Sequence, residues 1–198
     1  MSSELSREFF ERPVLDVAPD LLGVVVTRAA VSVRLTEVEA YDGPDDPGSH
    51  AYRGQTRRNA TMFGPAGHLY VYFTYGMHWC ANMVCGSPGR ASAVLLRGGE
   101  VVKGVEVAQE RRGASVALRD LARGPARLAQ SLGLERDQDG TDLFGPEVQL
   151  WRAPAPDHRT STGPRVGLRN GAERPWRFWI EGDRFVSPYR PAVRRPPR

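Results

Sequence analysis

The chain has almost no lysine. Of its 27 basic residues only Lys103 is a lysine, which leaves 27 − 1 = 26 arginines. Chemistry that needs a side-chain amine, such as Schiff-base formation, is confined to that one position. Cysteine is scarce as well, with Cys80 and Cys85 alone. A structural zinc site wants four ligands, and these two with the nearby His78 supply three. Alternation along a strand would also point the two thiols to opposite faces. Buried free thiols are therefore expected, with no metal and no cofactor. No apolar run approaches the roughly 18 residues of a membrane span. The opening Met1–Phe10 segment, polar and mixed in charge, does not read as a signal peptide. A soluble intracellular protein without a membrane partner is expected.

The chain contains 198 residues, enough for one domain with a real core. Its formal net charge is +4, carried almost wholly by arginine. Guanidinium groups bind phosphate bidentately and stack on bases, which suits nucleic acid. An Arg-rich and Pro-rich proteome from a GC-rich genome would give the same composition. Val/Thr-rich stretches predict strands over Gly23–Arg28 and Val31–Tyr41. Leu69–Thr74 and His78–Val84 flank a tight hairpin signal at Tyr75-Gly76-Met77. Further strands are expected at Ala91–Leu96, ending in Arg97, and at Gln149–Trp151 and Arg177–Ile180. Helical spacing covers Pro13–Leu22, Gly104–Arg111 and Pro125–Leu132. Asp42–Gly67 is a long Gly/Pro/Asp/Arg loop, of the kind that is functional or disordered. Pro154–Gly163 reads as a surface loop. The expected fold is one α+β domain over residues 1–189. It consists of a curled, barrel-like antiparallel sheet with short flanking helices and a protruding β-hairpin. A disordered Arg/Pro-rich tail would follow over residues 190–198.

Glu37, Glu39 and Tyr41 alternate along one strand and so share a face. Two carboxylates and an aromatic ring make poor core material, although exposed strand faces carry such residues too. Tyr70 and Tyr72 occupy one face of the next strand, leaving Leu69, Val71 and Phe73 to pack inward. Tyr75 sits at the hairpin tip, where a large ring could wedge into a base stack. Between these strands lie His50 and the basic loop Arg53-Gly54-Gln55-Thr56-Arg57-Arg58-Asn59. Such a loop is either a phosphate cradle or a solvated surface segment.

In combination these features resemble a known family. The segments are Thr36–Tyr41, His50, Thr56–Asn59 with Met62-Phe63, Leu69–Tyr72, and Tyr75–Met77 with Asn82. They are followed by Leu95-Leu96-Arg97, Gly124–Leu128, Pro164–Gly167 and Pro175–Phe178. In that order and spacing they are similar to the single-domain alkyladenine (3-methyladenine) DNA glycosylases, as distinct from the helix-hairpin-helix type. The resemblance covers nearly the whole chain.

It implies a monomeric, cytoplasmic, nucleoid-associated enzyme of bacterial base excision repair that flips damaged purines out of double-stranded DNA. Tyr75 would fill the gap, while Tyr41, His50 and Tyr72 sandwich the base. Glu39 would activate a water, with Glu37 next in line as a candidate base. Arg97 and the backbone at Val166 would hold that water, and Asn82 would disfavour guanine. Arg53, Thr56, Arg57, Arg58 and Arg127 would contact phosphates. The family loop often carries proline where this chain has Arg57, which adds charge near the DNA. Lys103 lies outside the matched pocket, so simple hydrolysis to an abasic site is expected. Two rivals are a non-catalytic damaged-DNA binder using the same pocket and a general nucleic-acid-binding module.

Overall fold

Two short helices open the fold, α1 (Arg7–Glu11) and α2 (Val14–Asp20), in a computed structural model that describes residues 5–74, 76–152 and 158–192. In α2 and its exit, Val14, Val17, Ala18 and Leu21 recur at the spacing of one helical face, and all four are buried. Gly23 then turns the chain at φ +80° and donates its N–H to the Leu35 carbonyl at 2.8 Å. That left-handed conformation suits a residue without Cβ. The strands that follow are β1 (Val24–Arg28), β2 (Val31–Tyr41), β3 (Leu69–Thr74), β4 (His78–Val84), β5 (Ala93–Lys103), β6 (Val148–Arg152), β7 (Thr160–Gly163) and β8 (Arg177–Ile180). Helices α3 (Val105–Arg112) and α4 (Pro125–Leu132) lie between β5 and β6. Pro125 occupies the first turn of α4, where a missing N–H costs nothing.

All strand pairings are antiparallel. The main path runs β3-β4-β5-β2-β1-β6, and β8 also pairs with β2 and carries β7 on its far side. β2 is the trunk of the sheet. One edge runs along β5, while the other is shared between β1 near its start and β8 at Glu37–Glu39. The expected curled antiparallel sheet is present, but it does not close into a barrel. Among the described residues β3 and β6 remain unjoined, because the second edge of β2 forks between two partners.

A bulge in the trunk decides which way the carboxylates face. Val31, Val33 and Leu35 point into the main core, and strict alternation would send Glu37, Glu39 and Tyr41 after them. The β2–β5 register shifts on both sides of Glu37, which faces Gly98, so Val38 and Ala40 become the core residues instead. The odd positions then look out from the opposite face. Gly99 makes this approach possible: a Cβ there would stand 2.5 Å from the Arg34 carbonyl oxygen. Neighbouring strands follow the same division. Leu69, Val71, Ala81, Met83, Val94 and Leu96 pack into the core, and α4 buries Leu128, Ala129 and Leu132 with them.

Several expectations change. β5 continues through Arg97 to Lys103, since Gly98-Gly99 marks the bulge and not a strand end. Thr160–Gly163, expected as loop, is the strand β7. α1 had no counterpart in the sequence reading. Phe73 lies beyond the core and is 43% exposed, at the end of a β3–β4 hairpin whose exposure increases toward its tip. Arg190 is tied to the domain by its carbonyl, which accepts from the Gly167 N–H at 3.0 Å. The remaining tail positions 193–198, residues 153–157 and Tyr75 lie outside the described residues.

Candidate active site

The face turned away from the main core, together with the loops around it, encloses a cavity of about 270 Å³. β2 contributes Glu39 and Tyr41, β3 Tyr70 and Tyr72, β4 Cys80 and Asn82, and β5 Leu95 and Arg97. The long loop supplies His50, and the segment before β8 supplies Val166, Gly167 and Leu168. Seven of the residues named from sequence, Glu39, Tyr41, His50, Tyr72, Asn82, Arg97 and Val166, therefore meet in one cavity.

Glu39 is fully buried. Its Oε1 accepts the Val166 N–H at 2.7 Å, and its Oε2 accepts the Tyr41 hydroxyl at 2.9 Å. The Arg97 Nε stands 3.4 Å from Oε1. Burial raises the Glu39 pKa, opposed by the Arg97 charge and the two hydrogen bonds. The result is an ionisable carboxylate with a heightened demand for a proton, at the wall of a cavity. Glu37 is different: it is equally buried but does not line the cavity, and four donors occupy its carboxylate. It is not placed to take a proton from a cavity water.

The rings form a neutral aromatic wall. Tyr70 and Tyr72 are stacked with centroids 5.4 Å apart, and His50 stands edge-on to Tyr72 at 4.5 Å. Burial pushes the pKa of Tyr41 and Tyr72 well up and that of Tyr70 to about 12. It also pushes the Cys80 thiol up to about 11, so this cavity thiol stays protonated. Packing of the His50 ring against the tyrosines, then the nearby Arg58 charge, lowers its pKa to about 4. His50 lies at the cavity mouth, edge-on to Tyr72. We expect its imidazole NMR signals to titrate below the ordinary value of about 6.5. In that window the unfolded chain binds the proton and the folded one does not, so this contribution to stability is lost as pH falls from about 6.5 toward about 4. A midpoint at or above 6.5 would exclude a neutral, packed His50.

The basic loop divides. Arg53 and Arg57 are exposed and form no hydrogen bond or ion pair with other described residues. Arg58 is exposed but engaged, donating to the Phe73 carbonyl at 2.9 Å and lying 5.6 Å from the Tyr72 ring centre. Thr56 gives both its N–H and its hydroxyl to Asn59 Oδ1, and buried Asn59 donates to the His50 and Gly54 carbonyls. The Thr56 hydroxyl proton and the Asn59 amide thus close the loop and set His50. Arg127 stands apart from the cavity, 3.7 Å from Asp120, in an adjoining groove that Arg97, Arg123 and Arg190 also line. Asn82 donates to the Tyr70 carbonyl at 3.1 Å, which aims it from the floor.

The sequence reading missed the frame behind the site. Arg165 and Asp46 are both fully buried and paired, with Arg165 Nη2 at 2.6 Å from Asp46 Oδ1. Arg165 also donates to the Ala40 and Gly171 carbonyls, each at 2.9 Å, and its guanidinium lies 4.7 Å from the Tyr41 ring centre. It thereby fixes Tyr41 from behind and the adjacent Val166 N–H. Arg165 belongs to the Pro164–Gly167 segment of the family resemblance, but nothing in the sequence marks Asp46 among the other acids of its loop.

Comparison with known proteins decides the family of this chain. The family model described as Methylpurine-DNA glycosylase (MPG) matches residues 8–184. The chain belongs to the methylpurine-DNA glycosylase family. It is accordingly a DNA glycosylase, a hydrolase of N-glycosyl bonds that acts on DNA in its repair. Three bacterial relatives each carry the name "Putative 3-methyladenine DNA glycosylase". The protein of Streptomyces avermitilis is 57% identical, over 94% of this chain and 92% of its own. That of Frankia casuarinae is 52% identical over 96% and 94%, and that of Leifsonia xyli 49% over 96% and 97%. Among the described residues no helix is long and apolar enough to cross a membrane.

Proposed function

We propose that this glycosylase extrudes an alkylated purine, 3-methyladenine foremost, from duplex DNA into the cavity. It then cleaves the N-glycosidic bond with a water activated by Glu39. The observation that carries the reading is the buried Glu39 carboxylate at the cavity wall, held by the Val166 N–H and Tyr41 and flanked by Arg97. As the bond breaks, positive charge develops on the sugar. A carboxylate beside it can stabilise that charge and accept the proton of the attacking water. Arg97, within reach of Glu39, and the backbone at Val166 hold that water.

The cavity lies near the lower end of ligand clefts, roughly 300–1,000 Å³, a size for a single base. Tyr41, Tyr72 and His50 stack on it, worth roughly 1–3 kcal/mol per ring. Because these rings stay neutral, a cationic alkylated base meets π faces without repulsion from them. Asn82 crowds the 2-amino group of guanine, and Tyr75 occupies the gap in the duplex. Arg53 and Arg57 are the freest groups for phosphate contact, with Arg58, Thr56 and Arg127 at the margins. The enzyme is read as a monomer working in the cytoplasm at the nucleoid.

Hydrolysis without strand cleavage has its own support. Lys103 is exposed at the far end of β5, eight residues beyond Leu95, the partner of Glu39. At about 3.3 Å per residue the separation is roughly 26 Å. No side-chain amine reaches the sugar.

Duplexes carrying a single lesion each provide the test. Free base should be released and an alkali-labile site left, with affinity falling steeply between about 50 and 200 mM salt. Nicking without alkali would overturn simple hydrolysis, and absence of release would leave only damaged-DNA binding. In the same assay Tyr75→Ala should weaken discrimination between lesion and normal duplex. Unchanged discrimination would remove the wedge role.

A further inference from the structure

One buried charge held by four hydrogen bonds, Glu37, is not used by the proposed reaction. Glu37 Oε1 accepts the Arg97 Nε–H at 2.9 Å, the Arg177 Nε–H at 2.7 Å and the Ser187 hydroxyl at 3.0 Å, and Oε2 accepts the Ser187 N–H at 2.8 Å. Arg177 is anchored separately by a bond to the Ser187 carbonyl at 2.8 Å and by the Trp179 ring at 4.7 Å. Arg97, by contrast, depends on Glu37: its Nε–H is directed there at 2.9 Å, against a longer 3.4 Å approach to Glu39.

The terminal nitrogens of Arg97 form no hydrogen bond with other described residues. They are also absent from the two buried atoms left unpaired, Thr36 Oγ1 and Arg165 Nε, so they meet open space. Arg97 and Val166 line both the base cavity and the groove behind it. Guanidinium and carboxylate favour a two-pronged pairing when nothing restrains them. Released from Glu37, Arg97 would turn onto Glu39 in that geometry and occupy the lone pairs that must take the proton.

We infer that Glu37 is a positioning residue: it holds Arg97 beside Glu39 without letting it clamp Glu39, so that the Arg97 terminal nitrogens face the reacting water. The inference rests on the reading of Glu39 as the base. The β2 bulge serves the same end, since it turns both carboxylates away from the main core, with Glu39 lining the cavity and Glu37 outside its lining.

A double-mutant comparison tests it. Glu37→Gln should lower the single-turnover rate of base release on the order of 100-fold, the scale for misplaced reacting groups. Lesion-duplex affinity should stay within about twofold. In an Arg97→Gln background the same change should cost no more than about twofold, because the group through which Glu37 acts is gone. An equal loss in both backgrounds would make Glu37 merely structural and overturn the inference. Should Glu37→Gln fail to fold, Glu37→Asp keeps the charge and withdraws the carboxylate, and the same two backgrounds decide. Glu39→Gln runs in parallel. If it releases base normally, the base assignment fails. If it is inert while Glu37 shows no dependence on Arg97, only the Glu37 role fails.

Discussion

Replacing Glu39 by glutamine is expected to slow base release by about 10²–10⁴-fold, the range for removing a general base. Binding to lesion-containing duplex should remain near wild type. Glutamine keeps the shape and one carbonyl oxygen, so it can still accept the Val166 N–H, but it cannot take a proton from water. Its amide –NH₂ must also face one of the donors that now point at the carboxylate, the Tyr41 hydroxyl or the Val166 N–H. The negative charge that balances the developing positive sugar is lost as well. Single-turnover release with a parallel gel-shift titration separates chemistry from binding. In the wild-type enzyme, release should fall as pH is lowered, with a midpoint above the ordinary glutamate value, because burial raises the Glu39 pKa. A mutant releasing base at near wild-type rate would reduce Glu39 to a buried structural acid.

Asp46→Ala is expected to lower the melting temperature by about 6–20 °C. Removing one partner of a buried ion pair costs about 3–5 kcal/mol, and each kcal/mol shifts a domain of this size by about 2–4 °C. Arg165 would be left charged at 0% exposure, with its Nε already unpaired. It would keep only the Ala40 and Gly171 carbonyls. Tyr41 and Val166, which Arg165 supports, would loosen with it, so base release should also slow at temperatures where the mutant remains folded. The surface pair of Arg159 and Glu181 supplies the control. It closes at 3.1 Å between side chains 84% and 48% exposed, and such pairs contribute about 0–1 kcal/mol. Scanning calorimetry of Asp46→Ala and Glu181→Ala checks the contrast. Equal shifts would show that the buried pair contributes no more than a surface one.

The elements were legible where local pattern governs. Residues 69–74, 78–84, 125–132 and 177–180 form the strands and helix that alternation and helical spacing predict. Reading failed where a distant partner overrides the local signal. The strand expected to end at Arg97 runs on through Gly98-Gly99, and only their approach to Arg34 and Glu37 explains why glycine stands mid-strand. Thr160–Gly163 carries little strand propensity and is a strand because β8 offers it an edge. For the site, the family resemblance supplied the candidates, and seven of them line the cavity. Nothing local distinguished Glu37 from Glu39, because two carboxylates at i and i+2 look alike until their donors are known.

The sequence by itself determined the materials: a carboxylate and rings on alternating strands, arginine as nearly the whole of the positive charge, and one remote lysine. Those follow from residue chemistry and short-range periodicity, which need no knowledge of the rest of the chain. Only the tertiary structure decided where each group stands. The bulge in β2 turned the carboxylates away from the core, four donors surrounded the Glu37 carboxylate, and the Asp46–Arg165 pair braced Tyr41 and Val166. Each of these depends on groups up to 150 positions apart, such as Glu37 and Ser187, which only the folding of sheet and loops together brings into contact.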